Sequence, residues 1–148
     1  MQLLFDALTR WPRLLFGSTQ LLPLEQLYFT AWRQTLPENT RVILERQLEQ
    51  VAYIERQTGG AKAIFRYPSG KPDTLFANTE PDQVAAQIVV GSPDDVRAAH
   101  TFHVKLFIHR GRLFSIEFPK RPDRLLEKHG LSESDLRVIR VEPGAALG

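Results

Sequence analysis

Few side chains in this sequence are placed to do chemistry, and most of those lie on one predicted hairpin. His100, His103 and His109 are three of the four histidines and fall within ten residues of one another. Neutral imidazole is the commonest metal ligand and a frequent general base. On an extended strand His103 and His109 share a face, but six residues separate them by roughly 20 Å at strand rise. They cannot hold one ion together, and His100 needs a bend to join His103, so neither a metal site nor a cofactor is expected. His103 and Glu117 make the better pair. Directly opposed across two strands, their Cβ atoms stand ~4.5–5.5 Å apart. A carboxylate there raises the imidazole pKa and orients the ring as a general base. These two are the candidate catalytic residues. Ser115 sits diagonally, with no nucleophile-elbow glycines around it. The plainer reading is a cross-strand ion pair on a solvated face, worth ~0–1 kcal/mol.

Phosphate-binding signatures are absent. There is no Gly-x-Gly-x-x-Gly, and Gly70-Lys71 is followed by Pro72 rather than Ser or Thr. Asp94-Asp95 could ligate a cation, but it also suits the first turn of a helix capped by Ser92. Arg110, Arg112, Lys120, Arg121 and Arg124 could grip an acidic partner. Trp11 and Phe16 belong to an aromatic-rich start that could dock on another chain.

The elements that position these residues follow from periodicity. Leu3, Leu4, Leu8, Trp11 and Leu15 recur at three- and four-residue steps, predicting a short N-terminal helix disturbed at Pro12. Pro23 opens a second helix and Pro37 ends it. A long helix is expected over about 38–58, with Ile43, Leu44, Gln47, Leu48, Val51 and Ile54 on one half and Gly59-Gly60 as terminator. Strands are expected over 61–67, 73–78 and 83–90, with 68–72 as a hairpin loop.

Residues 100–109 and 112–118 form the strongest hairpin. A two-residue turn at Arg110-Gly111 mixes polar and apolar groups on both faces. A three-residue loop, His109-Arg110-Gly111, sets Phe102 against Phe118, Val104 against Ile116 and Leu106 against Phe114, and leaves His103 beside Glu117 on the other face. Burial favours that register, since a one-residue slip exchanges the faces. A short helix over 124–129 closed by Gly130, a capping box at Ser132–Asp135, a last strand over 136–141 and a frayed tail over 143–148 complete the chain.

The fold class expected is α+β: N-terminal helices packed on an antiparallel sheet of about five to six strands. The 148 residues make one domain, with 1–22 a helical segment that docks on the core or on another subunit. Cysteine is absent, which excludes disulfides and zinc–thiolate sites. The start lacks the order of charge and apolar run that an export signal needs, so a cytoplasmic protein is expected. Net charge is only +2, yet 110–140 is locally basic and 73–96 acidic. The leading functional expectation is a non-catalytic protein-interaction module whose partner is another protein or a second copy. The alternatives are a protein, binding or enzymatic, with an apolar-ligand pocket between helix and sheet, and a nucleic-acid binder using the basic 110–140 region.

Overall fold

A computed structural model describes residues 20–57, 61–93, 101–119 and 122–148. The architecture is the expected one: two helices packed on a six-stranded antiparallel sheet. The helices are α1 (Pro23–Thr35) and α2 (Glu38–Glu49). The strands are β1 (Tyr53–Arg56), β2 (Lys62–Arg66), β3 (Gln83–Gly91), β4 (Phe102–His109), β5 (Arg112–Glu117) and β6 (Arg137–Pro143), in the spatial order β1-β2-β5-β4-β3-β6. Helix α3 (Pro122–His129) precedes β6 and ends at Gly130, which adopts a left-handed φ. The expected helix over residues 3–15, the helix start at Asp94-Asp95 and the Gly59-Gly60 terminator lie outside the described residues. None of the described helices is long and apolar enough to cross a membrane.

Prolines bound α1 as expected. Pro23 stands in its first turn, where no N–H is needed. Glu25 reaches back to accept from Leu22 N at 2.8 Å and also pairs with Arg56 on β1, tying the helix start to the sheet edge. The α1 aromatics Tyr28, Phe29 and Trp32 are all buried, with the Phe29 ring edge-on to Phe65 of β2.

The long helix is shorter than its periodicity implies. It ends at Glu49, and residues 53–56 form β1. Val51, Tyr53 and Ile54 suit a strand as well as a helix, and tertiary pairing decides: Ala52 N donates to Arg66 O at 2.7 Å and Ile54 sits opposite Phe65. Residues 73–78 are likewise not a strand. They form a loop that drops Phe76 into the core and donates from Phe76 N to Gly111 O at 2.8 Å.

The hairpin register differs from expectation. Arg110 and Gly111 both have a left-handed φ. Two such residues in succession make the two-residue turn that matches the twist of the strands. His109 then faces Arg112 and Ile108 faces Leu113, after which the pairing shifts by one: Phe107 faces Ser115, Leu106 faces Ile116 and Lys105 faces Glu117. The extra residue is Phe114, a β-bulge. It resolves the conflict that a two-residue turn creates, because Leu113 and Ile116, three apart, can now both point inward, and both are fully buried. The bulge puts Phe114 on the outer face, so Phe114 does not pack against Leu106.

A second bulge interrupts β3 between Val84 and Ala86. Ala86, Ile88 and Val90 stay inward, whereas Val84 sits across from Phe107 on the other face. The carbonyls of Val84 and Ala85 accept hydrogen bonds from Ala145 N and Gly144 N at 2.8 and 3.0 Å. The expected frayed tail is thus docked on the sheet: Asn78 also donates to Ala146 O and Leu147 O, and Leu147 is buried.

Candidate functional site

The structure does not bring His103 and Glu117 together. Glu117 faces Lys105 on β4 and Lys62 on β2, with Lys62 Nζ 2.9 Å from its carboxylate. His103 faces Val89 of β3, and its Nδ1 lies 2.7 Å from Gln87 Nε2, which also donates to Glu142 at 3.1 Å. The cause is the turn and the bulge together: the two-residue turn moves Glu117 one position along β4 from the expected register, and the Phe114 bulge moves it one more. The imidazole therefore lacks the carboxylate that general-base chemistry at this pair required. His109 does meet an acid, Asp82, at 3.0 Å, but the Asp82 side chain is largely exposed.

The other candidates scatter. Trp11, Phe16, Lys120 and Arg121 lie outside the described residues. Arg124 is exposed on α3, and Arg110 is exposed at the β4–β5 turn, where its N donates to Glu80 O. Arg112 donates to Gly70 O and stands 5.8 Å from the centroid of the Phe114 ring. Lys62 Nζ is 5.5 Å from the same ring, and the His109 ring is 5.5 Å away. Phe114 is thus a half-buried aromatic among cations on the face opposite the helices. No group of metal-binding side chains occurs among the described residues.

A different feature has the dimensions of a site. A half-open groove of about 790 Å³ lies where α1 turns into α2 and the docked C-terminal segment passes over β3. Trp32, Leu36 and Pro37 line one side; Ala85, Val141 and residues 143–148 line the other. Small side chains create the space. Gly144, Ala145 and Ala146 are held by backbone bonds and have little to fill it with. Gly144 is obligatory, because a Cβ there would stand 2.0 Å from Val84 O. No charged side chain lines the groove, and none of His103, His109 or Glu117 does. The polar lining comes from Thr35, Asn39, Thr40 and exposed backbone. Thr35 Oγ1 already donates to Trp32 O at 2.7 Å.

No family model, curated protein or solved structure matches this chain.

Sequence reasoning missed the groove because it treated residues 143–148 as frayed. The available signal was a Pro-Gly-Ala-Ala run directly after a strand: residues small enough to lie flat against a neighbour's backbone.

Proposed function

We propose that this chain is a non-catalytic binding domain that takes a small apolar ligand in the groove beside Trp32. The observation that carries the reading is the groove itself. Its volume of about 790 Å³ is in the range of small-molecule sites, and its walls are apolar with a few polar groups. The alternative of a broad apolar docking patch has less support among the described residues. The large exposed apolar side chains are Leu22, Leu27 and Val42. Leu22 caps the start of α1 and Leu27 lies more than a turn further on, on a different side of the helix. Val42 is on the other helix.

The test uses a Trp11→Phe variant, leaving Trp32 as the sole indole reporter. Adding 1-decanol is expected to shift Trp32 emission saturably, and Ala146→Leu, which fills the groove from its exposed rim, is expected to abolish the shift. An unchanged Trp32 emission spectrum up to the solubility limit overturns the reading.

A second reading is favoured by the cluster around Phe114. Arg and Phe are enriched where proteins meet, and Arg112 and Lys62 stand beside this ring. Lys62–Glu117, Arg66–Glu55 and Arg140–Glu142 are ion pairs. That mixture of signs suits a protein surface, such as a second copy of the chain, better than a phosphate backbone. Sedimentation showing a dimer that Phe114→Asp dissociates supports it; a monomer at every concentration removes the self-association form.

A further inference from the structure

Resting on the groove reading, we infer that Asn78 is the positioning residue of the groove: from outside it, Asn78 docks the segment 143–148 that forms one wall.

That wall has little of its own to hold it in place. Residues 143–148 read Pro-Gly-Ala-Ala-Leu-Gly, with no side chain that can donate or accept a hydrogen bond. Apart from the buried Leu147 side chain, the segment docks through its backbone. Gly144 N donates to Ala85 O at 3.0 Å and Ala145 N to Val84 O at 2.8 Å, both at the β3 bulge. The next two residues accept instead, and both donors come from Asn78. Its Nδ2 donates to Ala146 O at 2.7 Å and its backbone N to Leu147 O at 3.0 Å.

The amide of Asn78 uses both of its ends. Oδ1 accepts from Glu80 N at 3.1 Å, which turns Nδ2 toward Ala146 O. An ionised aspartate offers acceptors only; it could still serve Glu80 N, but it would set an oxygen against the Ala146 carbonyl. The loop that carries Asn78 is fixed on either side: Phe76 is buried and donates from N to Gly111 O at 2.8 Å, and Arg110 N donates to Glu80 O at 3.0 Å. Asn78 does not line the groove, so a change there reaches a ligand through the wall. A ligand that needs the docked wall loses affinity in proportion to the fraction of molecules in which the wall is undocked.

The test compares Asn78→Asp with its parent, the Trp11→Phe protein, using 1-decanol, which carries no charge, and Trp32 emission. At neutral pH the aspartate is expected to weaken decanol binding about fivefold, the worth of one ordinary hydrogen bond. Hydrogen exchange at Ala145 N should speed up by a similar factor, while Leu113 N, bonded to Gln47 in the core, keeps its rate. As pH falls through the aspartate range, about 3.9 for a free side chain, the protonated carboxyl regains a donor and decanol affinity returns to that of the parent, whose own profile stays flat. Glu80, Asp82, His109 and Arg110, the charged and titratable groups of the adjoining loop and hairpin, are common to both proteins, so the difference between the profiles belongs to position 78. Asn78→Ala removes the donor without adding charge and should bind weakly at every pH. Parent-like affinity in either variant at neutral pH, or a loss in the aspartate that low pH does not restore, overturns the role of Asn78 while the groove stands. A parent protein that decanol leaves unchanged overturns the groove itself. Should Asn78→Asp fold poorly, Asn78→Ala decides alone.

Discussion

The two ends of α2 treat their polar groups in opposite ways. Near its C-terminus, Gln47 is completely buried and completely satisfied: Nε2 donates to Thr74 O at 2.9 Å and Gly111 O at 3.0 Å, and Oε1 accepts from Leu113 N at 2.7 Å. One side chain thereby joins the helix, the 73–78 loop and the hairpin tip. At the N-terminus the N–H groups of Glu38, Asn39 and Thr40 make no hydrogen bond among the described residues, and the groove opens beside them. A buried polar network with every member bonded specifies a structure. First-turn N–H groups have no partner inside any helix, so that end specifies little and leaves room beside it. Tyr28 refines the contrast. Its hydroxyl is buried and has no partner among the described residues, and burial, reinforced by the nearby Glu25 carboxylate, pushes its pKa far up. It does not line the groove.

The sharpest way to break this comparison is to remove the satisfied end. Gln47→Leu takes the partner from Leu113 N and from Thr74 O, whereas Gly111 O keeps Phe76 N, and it is expected to cost about 3 kcal/mol, because buried groups left unbonded lose ~1–3 kcal/mol each. Chemical denaturation measures it; a loss below about 1 kcal/mol, the net worth of one ordinary hydrogen bond, would show that water replaces the amide. Gly144→Ala comes next. The clash with Val84 O must lift the tail, at about 2 kcal/mol by analogy with overpacked sites, and decanol binding should fall with it. A variant as stable as wild type that still binds would show that the tail does not form the wall. Tyr28→Phe tests the idle orphan: stability should hold or rise by up to ~1 kcal/mol, since an unbonded buried hydroxyl contributes nothing favourable. A drop of that size would reveal a hydrogen bond to Tyr28 Oη.

The smallest effect concerns Asp135. Ser132 N and Oγ both donate to its carboxylate at 2.9 Å, which holds its pKa below the ordinary carboxylate value. The folded value is depressed, so the bonus to stability is present above the unfolded pKa and is lost as pH falls through the lower folded one. Carboxyl-carbon NMR should show Asp135 titrating below a free aspartate, and Ser132→Ala should return it upward.

Much of the frame was legible in the sequence. Pro23 and Pro37 bracket α1, Gly130 stops α3, and the Ser132–Asp135 box forms as its residues dictate. These are local devices whose physics acts within four residues. What could not be read was decided at a distance. Whether Val51–Ile54 continues a helix or begins a strand depends on β2 being available. The Phe114 bulge exists because Leu113 and Ile116 both gain burial, and no local rule weighs that against a two-residue turn. The tail is ordered by carbonyls that a bulge far upstream leaves free. The candidate site inherited these errors. His103 and Glu117 were joined by a register that the two-residue turn and the bulge break, and the groove was hidden in a segment with no apolar period of its own.

Backbone amide NMR during a decanol titration addresses the binding claim at residue level. The N–H signals of Leu36, Asn39, Ala146 and Leu147, which line the groove, and the Trp32 indole should move together and saturate at one concentration, while Lys62 and His103 on the far face stay still. Shifts centred on the Lys62–Arg112 face, or none among the residues that line the groove, would contradict the account.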